Sequence, residues 1–222
     1  MSPARTARSF EVRHLQLARA VIAAIAAAMI TFSPDHSAPL GLSVFSGFAI
    51  TSAFVLFVAA WLVFPAGRRG AAVVLGVIDI VAGMVAGIGP IRSDTLFFAL
   101  VISWALASGL VELIVGLRGR HAEKGTAAHS EGRDALTIGI LGLVLGVALL
   151  CVPAGYALTY RVAEAHETFT LTGITIGVGI FGGYAAIVAV FLGIAGFSPR
   201  VEPAAELAAG HAASEDNHGG AA

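Results

Sequence analysis

Three side chains capable of proton or ion chemistry sit where an apolar chain should carry none. Asp79 lies near the middle of one apolar run, while Arg19 and Glu112 lie about a turn inside the ends of two others. A charge at the centre of a bilayer costs roughly 2.5–3.5 kcal/mol, so such a residue faces the interior of a helix bundle and finds a partner there. Two carboxylates enclosed with one guanidinium are the makings of a proton- or ion-responsive site built from Asp79 and Glu112. The depths of the three residues allow Arg19 to pair with either Glu112 or Asp79. The plainer reading is a structural ion pair, or a protonated Asp79 hydrogen-bonded to a neighbouring helix. That reading is preferred, because one acid per helix is little for a transport path.

No other pattern offers catalysis. The chain has no Walker A sequence, no His-Glu-x-x-His, no Cys-x-x-Cys and no Gly-x-Ser-x-Gly. Its single cysteine, Cys151, has no basic neighbour in sequence to activate a thiolate. The cluster Glu164-Ala165-His166-Glu167 contains a histidine that titrates in the physiological range and so suits an acid sensor, but a solvated loop is the commoner reading. His211 and His218 are not at helical ligand spacing. No catalytic, cofactor-binding or metal-ligating residue is therefore expected, and an enzyme is the least favoured class.

The elements that must carry Arg19, Asp79 and Glu112 follow from where charge is missing. Of 222 residues, 57% are hydrophobic and 12% charged, against about 25% charged in a soluble domain. The mean hydropathy is +0.88. A net charge of −1 gives no footprint for nucleic acid. The apolar runs are continuous, without the period-two alternation of a barrel strand, and each approaches the roughly 20 residues that a spanning helix needs. Six transmembrane helices are predicted, near Leu15–Phe32, Leu40–Phe64, Ala71–Gly89, Thr95–Leu117, Ala135–Val152 and Leu171–Phe197. An all-α integral membrane fold results. A retained first helix is favoured over a signal peptide, because a second apolar run follows at once.

Lysine and arginine set the orientation. Arg5, Arg8 and Arg13 precede the first helix, Arg68 and Arg69 occupy the second loop, and Arg118, Arg120, Lys124 and Arg133 the fourth. The opposite side has only Arg92 and Arg161. Both termini are thus expected in the cytoplasm. Residues 1–14 read as a basic tail, 15–197 as the membrane domain, and 198–222 as an acidic, disordered tail. Trp61 reads as an interfacial anchor and Trp104 as a packing residue.

The chain also repeats. Seven residues before Pro34, Pro90 and Pro153 stand Ala27, Gly83 and Gly146, and fourteen before stand Ala20, Gly76 and Gly139. Small residues at a seven-residue step lie on nearly one helix face, and such faces let helices approach closely in lipid. The chain then reads as three helical hairpins, about 15–64, 71–117 and 135–197. Further small pairs, Ser43/Gly47, Gly83/Gly87, Gly142/Gly146, Gly173/Gly177 and Gly179/Gly183, extend the pattern. They suit intramolecular packing, or else a dimer interface or ligand groove.

The second hairpin joins Gly76, Gly83 and Pro90 to a following helix with Trp104, Gly109 and Glu112, and the third opens on Gly139, Gly142, Gly146 and Pro153. This pattern resembles the HdeD-like family of small bacterial membrane proteins. The resemblance covers most of residues 15–197 and is strongest over 71–153. The first helix departs from it with alanines for glycines, and the sixth lacks counterparts of Trp104 and Glu112. It implies a multi-pass protein of the bacterial plasma membrane, with a role in acid or envelope stress and no established catalytic residues. The expected function is therefore non-enzymatic, with the bilayer, and a homo-oligomer or membrane partner, as its contacts. The alternative is a small proton or solute transporter or channel with a path between the hairpins.

Overall fold

The computed structural model describes residues 12–64, 66–121, 127–162 and 167–198. Residues 1–11 and 199–222, with His211 and His218, lie outside the described residues, as does most of the Glu164–Glu167 cluster. Among the described residues, six helices are long and apolar enough to cross a membrane. They are α1 (Val12–Thr31), α2 (Ala38–Leu62), α3 (Gly70–Gly87), α4 (Asp94–Gly119), α5 (Ala127–Leu150) and α6 (Gly173–Phe197).

The stops between them follow ordinary chain chemistry. Proline lacks an N–H and disfavours helix in the residue before it. Pro34 follows α1, Pro90 sits in a short 3-10 turn after α3, and Pro153 follows α5. Ser93 caps α4 by accepting from the Leu96 amide, and Thr172 caps α6 by accepting from the Thr175 amide. Arg92 donates to the carbonyl of Ala86 at 3.0 Å and to Ser43 Oγ at 2.6 Å, closing the end of α3 against α2.

The helix ends fall within about three residues of the sequence expectation except at the start of α5, and α1 takes in residues 12–14, read above as tail. The helix α5 begins at Ala127, ahead of Ala135, and takes in Glu131, Arg133 and Asp134. Charges outside the hydrocarbon need not end a helix. Here a Cβ on Gly132 would fall 2.7 Å from the Gly119 Cα, so the added turns lie against the end of α4. The fifth loop, for its part, is not wholly irregular. It forms an antiparallel ribbon of β1 (Ala157–Val162) and β2 (Glu167–Thr172), in which Thr159 pairs with Thr170 and Tyr160 with Phe169. Leu171, expected in the last helix, belongs to this ribbon, whose threonine and aromatic content suits a strand. The other regular elements among the described residues are helical.

The helices close into a ring. The tightest packing joins α2 to α3, α4 to α5, and α6 back to α1, while α1–α2, α3–α4 and α5–α6 touch more loosely. The hairpins read from the sequence are therefore not the tightly packed units. The small faces of α3 and α5 turn towards the preceding even-numbered helix instead. A Cβ on Gly76 would meet the Phe57 ring at 2.7 Å, and one on Gly83 would meet Ile50 at 2.7 Å, both on α2. One on Gly139 would meet the Leu113 amide at 2.5 Å, and one on Gly146 Leu106 at 2.7 Å, both on α4. Between α6 and α1 the contact is made from the other side, with Gly182 against Ile30 and Gly196 against Leu17. Gly47, Gly179 and Gly183 meet nothing within 4 Å, so the Ser43/Gly47 and Gly179/Gly183 pairs make no such seam.

Apolar side chains cover the outside. Val21, Ile25 and Met29 on α1, Val77, Val81 and Met84 on α3, Ile140, Val144 and Val147 on α5, and Ile187, Val190 and Ile194 on α6 are all exposed. Their three- and four-residue steps draw one outward stripe per helix. A belt of this kind is stable against hydrocarbon and would aggregate in water. Trp61, 80% exposed near the end of α2, lies on the same outer surface.

Candidate functional site

The polar residues meet on the axis of the ring. Arg19 reaches across from α1 to α4, where its guanidinium donates to Glu112 Oε1 at 2.6 Å. Of the two pairings open to Arg19 in the sequence, this is the one that forms. Asp79 takes a different partner. Trp104 Nε1 donates to Asp79 Oδ1 at 2.7 Å, from α4 to α3. Trp104 is thus both a packing residue and the hydrogen-bond donor to the buried carboxylate. Asp79 and Glu112 are 6% and 5% exposed. A buried carboxylate without a partner would be costly, which is why both are held.

The lining of this site is regular. Each even-numbered helix contributes three residues at four-residue steps: Phe48, Ser52 and Leu56 from α2; Trp104, Ser108 and Glu112 from α4; Tyr184, Val188 and Leu192 from α6. Residues four apart share one helix face, so each triplet looks at the axis. The odd-numbered helices supply Arg19, Leu75 and Ile138, each fifteen residues before its proline. Eleven before those prolines stand Ala23, Asp79 and Gly142. The polar residues are thus the chemical exceptions at positions that are otherwise small or apolar.

These residues enclose a cavity of about 30 Å3. A water needs about 10–15 Å3 and two to four polar partners, so the space suits one or two waters. Ser108 Oγ is engaged with the Trp104 carbonyl at 2.7 Å. Among the described residues, Asp79 Oδ2, Ser52 Oγ and the Tyr184 hydroxyl have no protein hydrogen-bond partner, and all three residues line the cavity.

The two sides of the cavity differ. Towards the end where α1 begins and α6 ends, it adjoins a vestibule of about 590 Å3 that shares Arg19, Leu56, Leu75, Glu112, Ile138 and Leu192 with it. Ligand pockets fall at roughly 300–1,000 Å3. The vestibule walls are mostly apolar, and paired polar groups stand at its mouth. Arg68 meets Glu131 at 2.7 Å, and Gln16 donates to Asp134. Towards the other end, aromatic rings fill the axis. Phe45 stands edge-on to Trp104 and Phe181, with centroids 5.1 and 5.6 Å apart, and Phe48 contacts the same two rings at 5.7 and 5.8 Å. Tyr184 completes the layer against Trp104 at 6.1 Å. Such edge-to-face contacts are the favoured aromatic geometry.

Sequence reasoning singled out Arg19, Asp79 and Glu112 and missed Ser52, Ser108 and Tyr184, which look ordinary in isolation. The four-residue steps from Trp104 to Glu112 were the available signal. Among the described residues, no group of three or more His, Cys, Asp or Glu side chains could hold a metal ion. Fold and site together define a multi-pass α-helical membrane protein with a polar cluster on its axis. No family model, curated protein or solved structure matches the chain.

Proposed function

We propose that the chain is a small, non-enzymatic transporter of the bacterial plasma membrane, held with its vestibule open to the cytoplasm. The observation that carries this reading is the one-sided access: an open vestibule on one side of the buried polar cluster and a packed aromatic layer on the other. Substrate sites near the midplane, reached from one face at a time, are the usual arrangement in secondary transporters. The orientation follows from the arginines, with Arg13, Arg68, Arg69, Arg118 and Arg120 at the vestibule end. The HdeD-like resemblance supports acid or envelope stress as the setting. A purely structural membrane protein would need no vestibule of this size, which is why transport is ranked above it.

Two labelling experiments test the reading. Cys151 is exposed at the end away from the vestibule. It is expected to react with a membrane-impermeant maleimide in intact cells, and reaction only in inverted vesicles would reverse the orientation. In a Cys151→Ser background, Leu75→Cys at the vestibule neck is expected to show the opposite preference, labelling in inverted vesicles alone. Leu75→Trp, which fills the neck, is then expected to abolish complementation of a deletion strain under acid challenge while the protein still reaches the membrane. An unreactive Leu75→Cys together with full complementation by Leu75→Trp would overturn the proposal.

A further inference from the structure

The axial cluster does not balance in charge. Among the described residues it holds one cation, Arg19, and two carboxylates, Asp79 and Glu112. Glu112 Oε1 receives the guanidinium at 2.6 Å, so the cation is spent on that acid. Asp79 has only the neutral indole N–H of Trp104. One negative charge is left over in the interior of a membrane bundle, and it falls on Asp79. A buried acid without an ion-pair partner there is a candidate for an ion or proton pathway.

We infer that Asp79 is a proton-exchange site, loaded and unloaded through the vestibule. The inference rests on the proposed inward-facing reading and adds the ion that works the site. The step is simple. A hydronium ion reaching the small cavity gives its proton to Asp79 Oδ2, an O–H bond forms, and water is released. The carboxylate becomes a neutral carboxylic acid, while Trp104 Nε1–H continues to donate to Oδ1. Unloading is the reverse.

The neighbours of Asp79 support a proton over a metal cation. The charged or titratable groups facing it are Arg19 from α1, Glu112 from α4 and Tyr184 from α6. The α2 face contributes Ser52 and the α5 face Ile138 and Gly142, none of which titrates. A sodium ion would share a cavity of about 30 Å3 with a guanidinium and find one unpaired carboxylate oxygen, with the neutral hydroxyls of Ser52 and Tyr184 as its other oxygen donors. A proton becomes part of the acid and removes the charge, so the guanidinium does not oppose it once bound. Access is one-sided because Phe45, Phe48 and Phe181 close the axis beyond Trp104.

Trp104 reports on the site directly. The chain has two tryptophans, so Trp61→Phe leaves Trp104 as the sole indole. In full-length Trp61→Phe protein in liposomes of known orientation, Trp104 emission is expected to follow a one-proton titration. Asp79→Asn, which keeps an acceptor for the indole, should abolish the change without altering the melting temperature by more than a few degrees. Asp79→Glu should restore a titration. Exchange of potassium for sodium at fixed pH should have no effect. The signal should respond promptly to pH at the vestibule face and only after leakage to pH at the other. A titration surviving in folded Asp79→Asn, or one displaced by sodium, overturns the proton assignment. No titration at all, with Leu75→Cys still labelled from the cytoplasm, overturns this inference and leaves the inward-facing reading standing. A prompt response from the far face overturns the access route and the inward-facing reading together.

Discussion

Arg19→Met is expected to destabilise the protein by about 3–5 kcal/mol, the usual consequence of stranding one member of a buried ion pair. Arg19 donates to Glu112 at 2.6 Å, and the two side chains are 24% and 6% exposed. Methionine keeps the length of the arginine stem and removes the charge. Glu112 then faces Leu56, Ile138 and Leu192 without its cation. The loss should appear as a lower melting temperature in detergent and as poor yield from the membrane. Glu112→Gln in the Arg19→Met background should recover much of it, because removing both charges leaves no stranded ion. The recovery separates an electrostatic cause from lost packing. Equal melting of Arg19→Met and the parent protein would show that the pair holds nothing together.

The same pair shows how far the sequence could be read. That Arg19, Asp79 and Glu112 would turn inward was legible, because the lipid leaves a charged side chain no other direction. Which acid would take the arginine was not. Helix ends place a residue in depth, but the rotation of each helix about its own axis depends on all of its neighbours. The indole of Trp104 was missed as a donor for that reason: it and Asp79 stand on different helices at different distances from their turns. Conversely, Gly76, Gly83, Gly139 and Gly146 were conspicuous because one residue type recurs at one spacing. The axial positions were hidden because their residue types differ between helices. Arg19, Leu75 and Ile138 have nothing in common but their distance from a proline.

The six helices were legible for a simpler reason, since length and apolarity are properties of a segment alone. The tight partnership of α2 with α3 and of α4 with α5, across the hairpin boundaries, is not such a property. Proline fixes where the chain turns back, and the small face decides which neighbour the helix leans on. In this chain those two instructions select different partners. The end of the ribbon of β1 and β2 was missed because Leu171 and Thr172 abut an apolar run, and hydropathy alone assigns them to the helix.

Gly139→Leu is expected to prevent the α4–α5 seam from closing and to leave little folded protein. Even a Cβ at this position would fall 2.5 Å from the Leu113 amide nitrogen and 2.8 Å from the Gly109 carbonyl oxygen. Those atoms belong to helix backbone and cannot rotate away, so the whole of α4 must move. Gly109 and Gly116 also face α5, with a Cβ on Gly109 2.9 Å from the Leu143 amide nitrogen and one on Gly116 2.5 Å from the Leu136 Cα. The two helices therefore approach over their length and would separate over their length. Overpacking by a methyl group costs about 1–3 kcal/mol, so Gly139→Ala should lower the melting temperature measurably, and leucine should do far more. Gly179→Leu is the matched control. Nothing lies within 4 Å of a Cβ there, and a leucine would join the outer apolar belt. It should melt within a few degrees of the parent. Comparable melting of Gly139→Leu and Gly179→Leu would mean that α4 and α5 do not meet through their glycines. The placement of Trp104 and Glu112 opposite α3 and α1 would lose its support with them, because the same helix carries both faces.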